Sequence, residues 1–248
     1  MSHPAISKGN APHKSWVKLS HWFVTISFLA LAFSGFIILM CHPRLYWGDV
    51  GNELTPALFE LPVSRNYQHG GWEKSVPFFD DGRTQVSASR KYEIFNENGW
   101  GRSLHFLAAW FLVLTGIIYL LMGIFSGHFK RHLWPREFTP RMLLHDMINH
   151  LRMRISATVG PQYGLLQKCT YVFIIFVTLP LAVVTGLAMS PAITSEYPFL
   201  SGMFGGSQSA RTIHFFASVV LVLFLLVHVV MVIKTGFRNQ IRGMTIGK

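Results

Sequence analysis

The sequence predicts an all-α integral membrane protein, a four-helix bundle forming one domain over residues 1–248. Three observations predict it. Half of the residues are hydrophobic, only 13% are charged where soluble domains carry about a quarter, and the mean hydropathy is +0.35. Four apolar runs approach or reach the roughly 20 residues that cross a hydrocarbon layer. They lie near Trp16–Met40, Leu104–Phe125, Leu166–Met189 and Ile213–Ile233. The third observation is that lysine and arginine gather on one side of these runs. A soluble enzyme and a disordered chain are both excluded by this composition.

The first run follows Lys8, Lys14 and Lys18, as a secretion signal would. It is longer than such a signal and lacks a small-residue cleavage site, so it reads as a retained anchor. The connection from Cys41 to Gly101 is rich in Gly, Pro, Trp and Tyr and mixed in charge. Loops beyond about 15 residues are uncommon without a job, and the simplest job here is a docking platform for another protein. After the second run, Pro140–Val159 sets Met142, Leu143, Leu144, Met147, Ile148, Leu151 and Ile155 at roughly helical spacing among Arg141, Arg152 and Arg154. That pattern predicts an amphipathic helix lying in the membrane surface.

Charge gives the orientation. The N-terminal tail with Lys18, the Ser126–Leu165 connection, Lys168 and the tail after Ile233 hold 14 basic and 2 acidic residues. The two other connections, with Arg102 and Arg211, hold 8 basic and 9 acidic. The positive-inside rule then puts both termini of a multi-pass membrane protein in the cytoplasm. One-sided topology accounts for the whole net charge of +11, so no nucleic-acid partner is needed to explain it. Two cysteines, Cys41 and Cys169, are too few for a disulfide framework, a zinc cluster or a c-type haem attachment.

Of 12 histidines, His21, His105, His214 and His228 fall inside the spans or a turn from their ends. Ionisable side chains at such depth are costly and functional by default, the plain alternatives being interfacial anchors or helix-to-helix hydrogen bonds. Depth sorts the four. His21 and His228 lie equally far from the cytoplasmic face, and His105 and His214 each follow an arginine by three residues at the periplasmic face. The fourth span therefore supplies one member of each pair. His214 and His228 are separated by about 21 Å of rise and fall about 40° short of four whole turns, so both face one side of the bundle.

Two flat cofactors stacked along the bundle fit this arrangement, and iron in haem b held by two imidazoles is the natural candidate. Zinc or di-iron sites would want carboxylates or thiols, and no Asp or Glu lies in the four runs. Lys18, Arg102 and Arg211 each stand one turn before a histidine, where a haem propionate would want a cation, although lysine and arginine also snorkel at helix ends without one. Gly35 lies 14 residues after His21 and Gly116 lies 11 after His105, each at the depth of the opposite pair. Both would admit a macrocycle close to the backbone; simple helix packing explains them as well.

Ligand histidines in the first, second and fourth of four spans, two of them 14 apart, resemble bacterial cytochrome b561 and the di-haem b subunits of formate dehydrogenases and nickel-iron hydrogenases. The segments His42-Pro-Arg-Leu-Tyr-Trp-Gly48, Gly101-Arg-Ser-Leu-His-Phe-Leu-Ala-Ala-Trp110 and Gly127-His-Phe-Lys-Arg-His-Leu-Trp-Pro135 resemble the group described as thiosulfate reductase cytochrome b subunits. The resemblance implies two b haems, one on His21 with His228 and one on His105 with His214. It also implies electron transfer between membrane quinone, ubiquinone or menaquinone, and a periplasmic partner, often a molybdopterin oxidoreductase. A free-standing quinol oxidase that reduces superoxide or ferric ion is the rival expectation, and a cofactor-free anchor or transporter is a third. His128, His132, His145 and His150 are available for quinone protons, though solvated loop histidines are commoner. No acid, base or nucleophile constellation is visible.

Overall fold

The computed structural model describes residues 14–52, 54–64, 98–135, 139–151 and 165–245. Four long apolar helices organise it, as the family of runs above requires: α1 (Ser15–Cys41), α2 (Asn98–Phe125), a third span over Leu165–Ala188, and α8 (Ser207–Lys234). Each outer face is apolar and open, with Leu19, Ile26, Leu114, Ile124, Leu223 and Ile233 all exposed, which only lipid can cover. The inside is the reverse. On α1 the buried residues are Ser20, Ser27, Ser34, Ile37 and Cys41, four of them in a row seven apart. Small side chains let helix backbones approach where lipid makes apolar packing no advantage.

The chain alternates ends. The start of α1, a π-helical turn (Phe129–Leu133), α3 (Pro140–Leu151) and α9 (Phe237–Met244) lie at one end of the bundle, here the basic end. Residues 42–52 and 54–64, and the segment between the third span and α8 with its short helices α6 (Pro191–Thr194) and α7 (Phe199–Gly202), lie at the other, the loop end. At the basic end the Trp22 indole donates to the Met244 carbonyl at 3.0 Å, tying the last helix to the first span. Asp146 of α3 accepts from the Leu166 amide at 3.0 Å and so caps the start of the third span. α3 exposes Leu144, Met147 and Ile148 along one side, as an interfacial helix would. The expected continuation to Val159 lies outside the described residues, as do residues 65–97 of the long connection.

Three spans differ from the hydropathy reading, for physical reasons. α2 begins at Asn98 and α8 at Ser207, each six residues ahead of its apolar run, because the first turns are polar and sit above the hydrocarbon. In α2, the Ser103 hydroxyl donates to the Gly99 carbonyl at 3.1 Å, and Gly101 lets the backbone rest on Ile37. The third span is not one α-helix. It runs as α4 (Leu165–Phe173), a π-helical turn (Ile174–Thr178) and α5 (Leu179–Ala188). Pro180 has no amide hydrogen for the carbonyl of Phe176, and the helix takes up an extra residue just before it. The Thr178 hydroxyl donates to the Phe173 carbonyl at 3.4 Å within this turn.

The loop end is built on the start of α8. Two short antiparallel strands, β1 (Arg44–Leu45) and β2 (Phe59–Glu60), pair Arg44 with Glu60 and Leu45 with Phe59. Buried Pro43, Leu45 and Tyr46 bring the following turn onto α8, where the Gly48 carbonyl accepts from the amides of Gln208 at 2.9 Å and Ser209 at 3.1 Å. The Gly48 amide donates to the Ser209 hydroxyl at 2.7 Å, and the Thr212 hydroxyl donates to the Tyr46 carbonyl at 2.6 Å. Gly206 makes this possible: it has φ +120° and a Cβ there would lie 2.4 Å from the Gly48 carbonyl carbon. The orphan amides of α8 are thus satisfied by the loop, which fixes where along the membrane α8 begins.

Candidate functional site

The four intramembrane histidines meet as two pairs. The rings of His21 (α1) and His228 (α8) have centroids 6.3 Å apart at an interplanar angle of 51°. Those of His105 (α2) and His214 (α8) are 6.2 Å apart at 64°. Among the described residues no group of three or more His, Cys, Asp or Glu converges, so each pair stands by itself. Two imidazoles bound on opposite sides of one metal, each with a metal–nitrogen bond of about 2.0–2.1 Å, have ring centres about 6.3 Å apart. Both pairs therefore have the separation that a single central ion requires.

The loop-end pair is held by hydrogen bonds. Nδ1 of His214 lies 2.9 Å from the Ala182 carbonyl, which can only accept, so this nitrogen carries the ring hydrogen. The Thr185 hydroxyl lies 3.1 Å from the same nitrogen. Its own hydrogen is directed at the Leu181 carbonyl at 2.7 Å, which leaves the oxygen as a second acceptor. On the other side, Ser34 repeats the arrangement. Its hydroxyl donates to the Ala30 carbonyl at 2.7 Å and faces Nδ1 of His105 at 3.0 Å. In both rings Nε2 keeps its lone pair for a metal.

At the basic end the surroundings are aromatic. His228 stacks on Phe224 at 5.8 Å and 25°, and Phe224 in turn meets Tyr171 of the third span at 6.1 Å. Gln167 donates to the Tyr171 hydroxyl at 2.8 Å. His21 lies edge-on to Trp22.

The remaining predicted residues fall out unevenly. Gly35 lies beside His105, where a Cβ would sit 3.5 Å from Cε1 of the ring. Gly116 borders open space, with nothing within 4 Å of a Cβ built there. Lys18 is half-buried one turn before His21. Arg102 and Arg211 are alike in sequence and unlike in place: the first lies exposed with its guanidinium 5.9 Å over the ring of its own neighbour Phe106, while the second is half-buried and donates to the His42 carbonyl. Of the loop histidines, His128 packs edge-on against Trp16 at 5.3 Å and His145 is exposed on α3. The side chains of His132 and His150 lie outside the described residues.

Sequence reasoning missed Ser34, Thr185 and Gly186. A Cβ at Gly186 would sit 3.5 Å from Cε1 of His214, the same separation as at Gly35 and His105. The available signal was a hydroxyl residue followed by glycine inside an apolar run, which occurs at Ser34-Gly35, Thr115-Gly116 and Thr185-Gly186.

The family described as prokaryotic cytochrome b561 matches residues 13–247. The chain belongs to that family. Its members carry haem b, and the chain is accordingly a membrane cytochrome b of electron transport. Among curated proteins it is similar to the putative protein-methionine-sulfoxide reductase subunit YedZ1 of Azospira oryzae, 26% identical over 222 residues and covering 90% of each chain. No solved structure matches the chain. The observed ring separations, together with Nδ1 hydrogens that leave Nε2 free at the loop end, fit bis-imidazole iron.

Proposed function

We propose that this cytochrome b561 is the membrane subunit of a quinone-linked oxidoreductase and that it holds two b haems, one between His21 and His228 and one between His105 and His214. The observation that carries the reading is that α8 contributes one ring to each of two pairs, both at the spacing of imidazoles sharing one ion. When bound, such iron supplies one-electron chemistry without an open coordination position. The protein's part is to fix the ligand nitrogens and to exclude water. Gly35 and Gly116 leave room for the macrocycles, and Lys18, Arg102 and Arg211 offer cations to propionates at the membrane edges.

The basic end faces the cytoplasm in this reading, by the positive-inside rule, and the loop end the periplasm. Quinone, ubiquinone or menaquinone, exchanges electrons at a membrane edge. Residues 41–101 dock the periplasmic partner, an oxidoreductase of the molybdopterin class. The similarity to a protein named as a reductase subunit supports a partnered cytochrome over a free-standing quinol oxidase. Two measurements test the proposal. Haem extraction from the purified chain yields two b haems per polypeptide with a sharp α band on reduction, and a colourless or single-haem preparation sinks the two-haem reading. Tagged chain isolated from its native membrane brings a periplasmic oxidoreductase with it; quinol oxidation by the chain alone at full rate would favour the free-standing rival.

A further inference from the structure

The third span offers no histidine, yet it touches the loop-end pair through a step that α1 repeats. Ser34-Gly35 on α1 and Thr185-Gly186 on the third span belong to different halves of the chain. Both hydroxyl residues are fully buried, at 0% exposure. Both donate to the carbonyl four residues back at 2.7 Å, and both stand near 3 Å from an Nδ1 of the pair, at 3.0 and 3.1 Å. The next residue is in each case a glycine whose Cβ would lie 3.5 Å from Cε1 and 3.8 Å from Nδ1 of that ring. A buried serine or threonine in a membrane helix needs only its own back-bond to be satisfied. Here the same four features coincide twice, on opposite sides of one histidine pair.

The chemistry follows from where the hydrogens are. Each hydroxyl hydrogen is committed to its own helix, so the oxygen presents a lone pair to the imidazole and accepts from Nδ1–H. At His214 the Ala182 carbonyl accepts from the same hydrogen. An acceptor on the Nδ1–H draws the hydrogen outward and raises the electron density at Nε2, making the ring a stronger donor. A stronger donor favours ferric over ferrous iron. At the other pair, His228 is stacked on Phe224.

We propose that Ser34 and Thr185 are positioning residues that hold His105 and His214 with Nε2 inward and lower the redox potential of the loop-end haem. The third span thus serves a metal that it does not bind. The assignment rests on the two-haem reading above.

The test is a redox titration of the detergent-purified full chain, followed by absorbance, for the unaltered protein and for Ser34→Ala, Thr185→Val and Thr185→Ser. Each uptake is one electron per iron, delivered by dithionite and removed by ferricyanide. Ser34→Ala and Thr185→Val each displace the equilibrium of one haem toward the reduced form by about threefold to tenfold, tenfold being 59 mV for one electron, and leave the second haem unmoved. The low-spin ferric resonance of that haem moves with it. Thr185→Ser keeps the hydroxyl and stays within about twofold of the unaltered protein. Unchanged potentials in both Ser34→Ala and Thr185→Val overturn the proposal, as does a Thr185→Ser shift as large as that of Thr185→Val. If Thr185→Val loses the haem outright, Thr185→Ser decides: two haems at the original potentials support the hydroxyl role, and a single haem marks the position as packing only. Fewer than two haems in the unaltered chain overturns the two-haem reading instead, which distinguishes the two failures.

Discussion

The two halves of this bundle present the same ring separation, 6.2 Å at the loop end and 6.3 Å at the basic end, and reach it by different means. At the loop end each imidazole is fixed by directional bonds from a neighbouring helix, and α8 itself is pinned by the turn at Gly48 through Ser209 and Thr212. At the basic end the neighbours are rings: Phe224 on His228, Tyr171 on Phe224, and Trp16 with Tyr119 nearby. The helices are related in a further way. Fourteen residues past His214, α8 offers His228; 14 past His105, α2 offers Tyr119. A hydrogen-bonded ring has one orientation, whereas a ring held by stacking can turn about its bonds at small cost. The loop-end rings are therefore fixed in orientation, and His228 at the basic end is the more adaptable ring.

Breaking the ligands gives the largest effect. His214→Ala and His228→Ala each lower the haem content from two per chain to one, and the surviving α band differs between the two variants; retention of both haems in either would refute the shared-helix assignment. The glycines come next. Gly35→Leu and Gly186→Leu put a branched side chain against the loop-end rings and remove that haem alone, while Gly116→Leu removes the basic-end haem alone, measured by pyridine haemochrome content and residual potential. If all three variants lose the same haem, the assignment of each glycine to its level is wrong.

Smaller effects sharpen the contrast in rigidity. Gly206→Ala forces a side chain into φ +120° against the Gly48 carbonyl and destabilises the loop end by about 1–3 kcal/mol. Thermal bleaching of the loop-end haem then precedes that of the basic-end haem, and simultaneous loss would deny the turn its role in holding α8. Phe224→Leu removes the stacked ring and weakens the basic end by about 0.5–1.5 kcal/mol, with both haems retained and only the basic-end spectrum altered.

The spans and the depth of the histidines were legible because hydrocarbon imposes a length and penalises charge whatever the neighbours are. The starts of α2 and α8 were not, since Asn98-Gly-Trp-Gly-Arg102 and Ser207-Gln-Ser-Ala-Arg211 are polar turns that continue a helix only because Ile37 and Gly48 receive them. Nor was the difference between Arg102 and Arg211, which share a spacing to their histidines. Arg211 reaches the His42 carbonyl because the chain after Cys41 folds back over α8, a contact 169 residues apart in sequence.

The sequence by itself determined the four crossings, their alternation, and the two levels at which His21 with His228 and His105 with His214 lie. These follow from residue counts along single helices, where rise and angle per residue are constants. Only the tertiary structure decided that Ser34 and Thr185 meet those rings while Thr115 does not. Which hydroxyl meets which nitrogen depends on the rotation and register of one helix against another, and those are set by small-residue packing and by the turn at Gly48, not by any periodicity within a run.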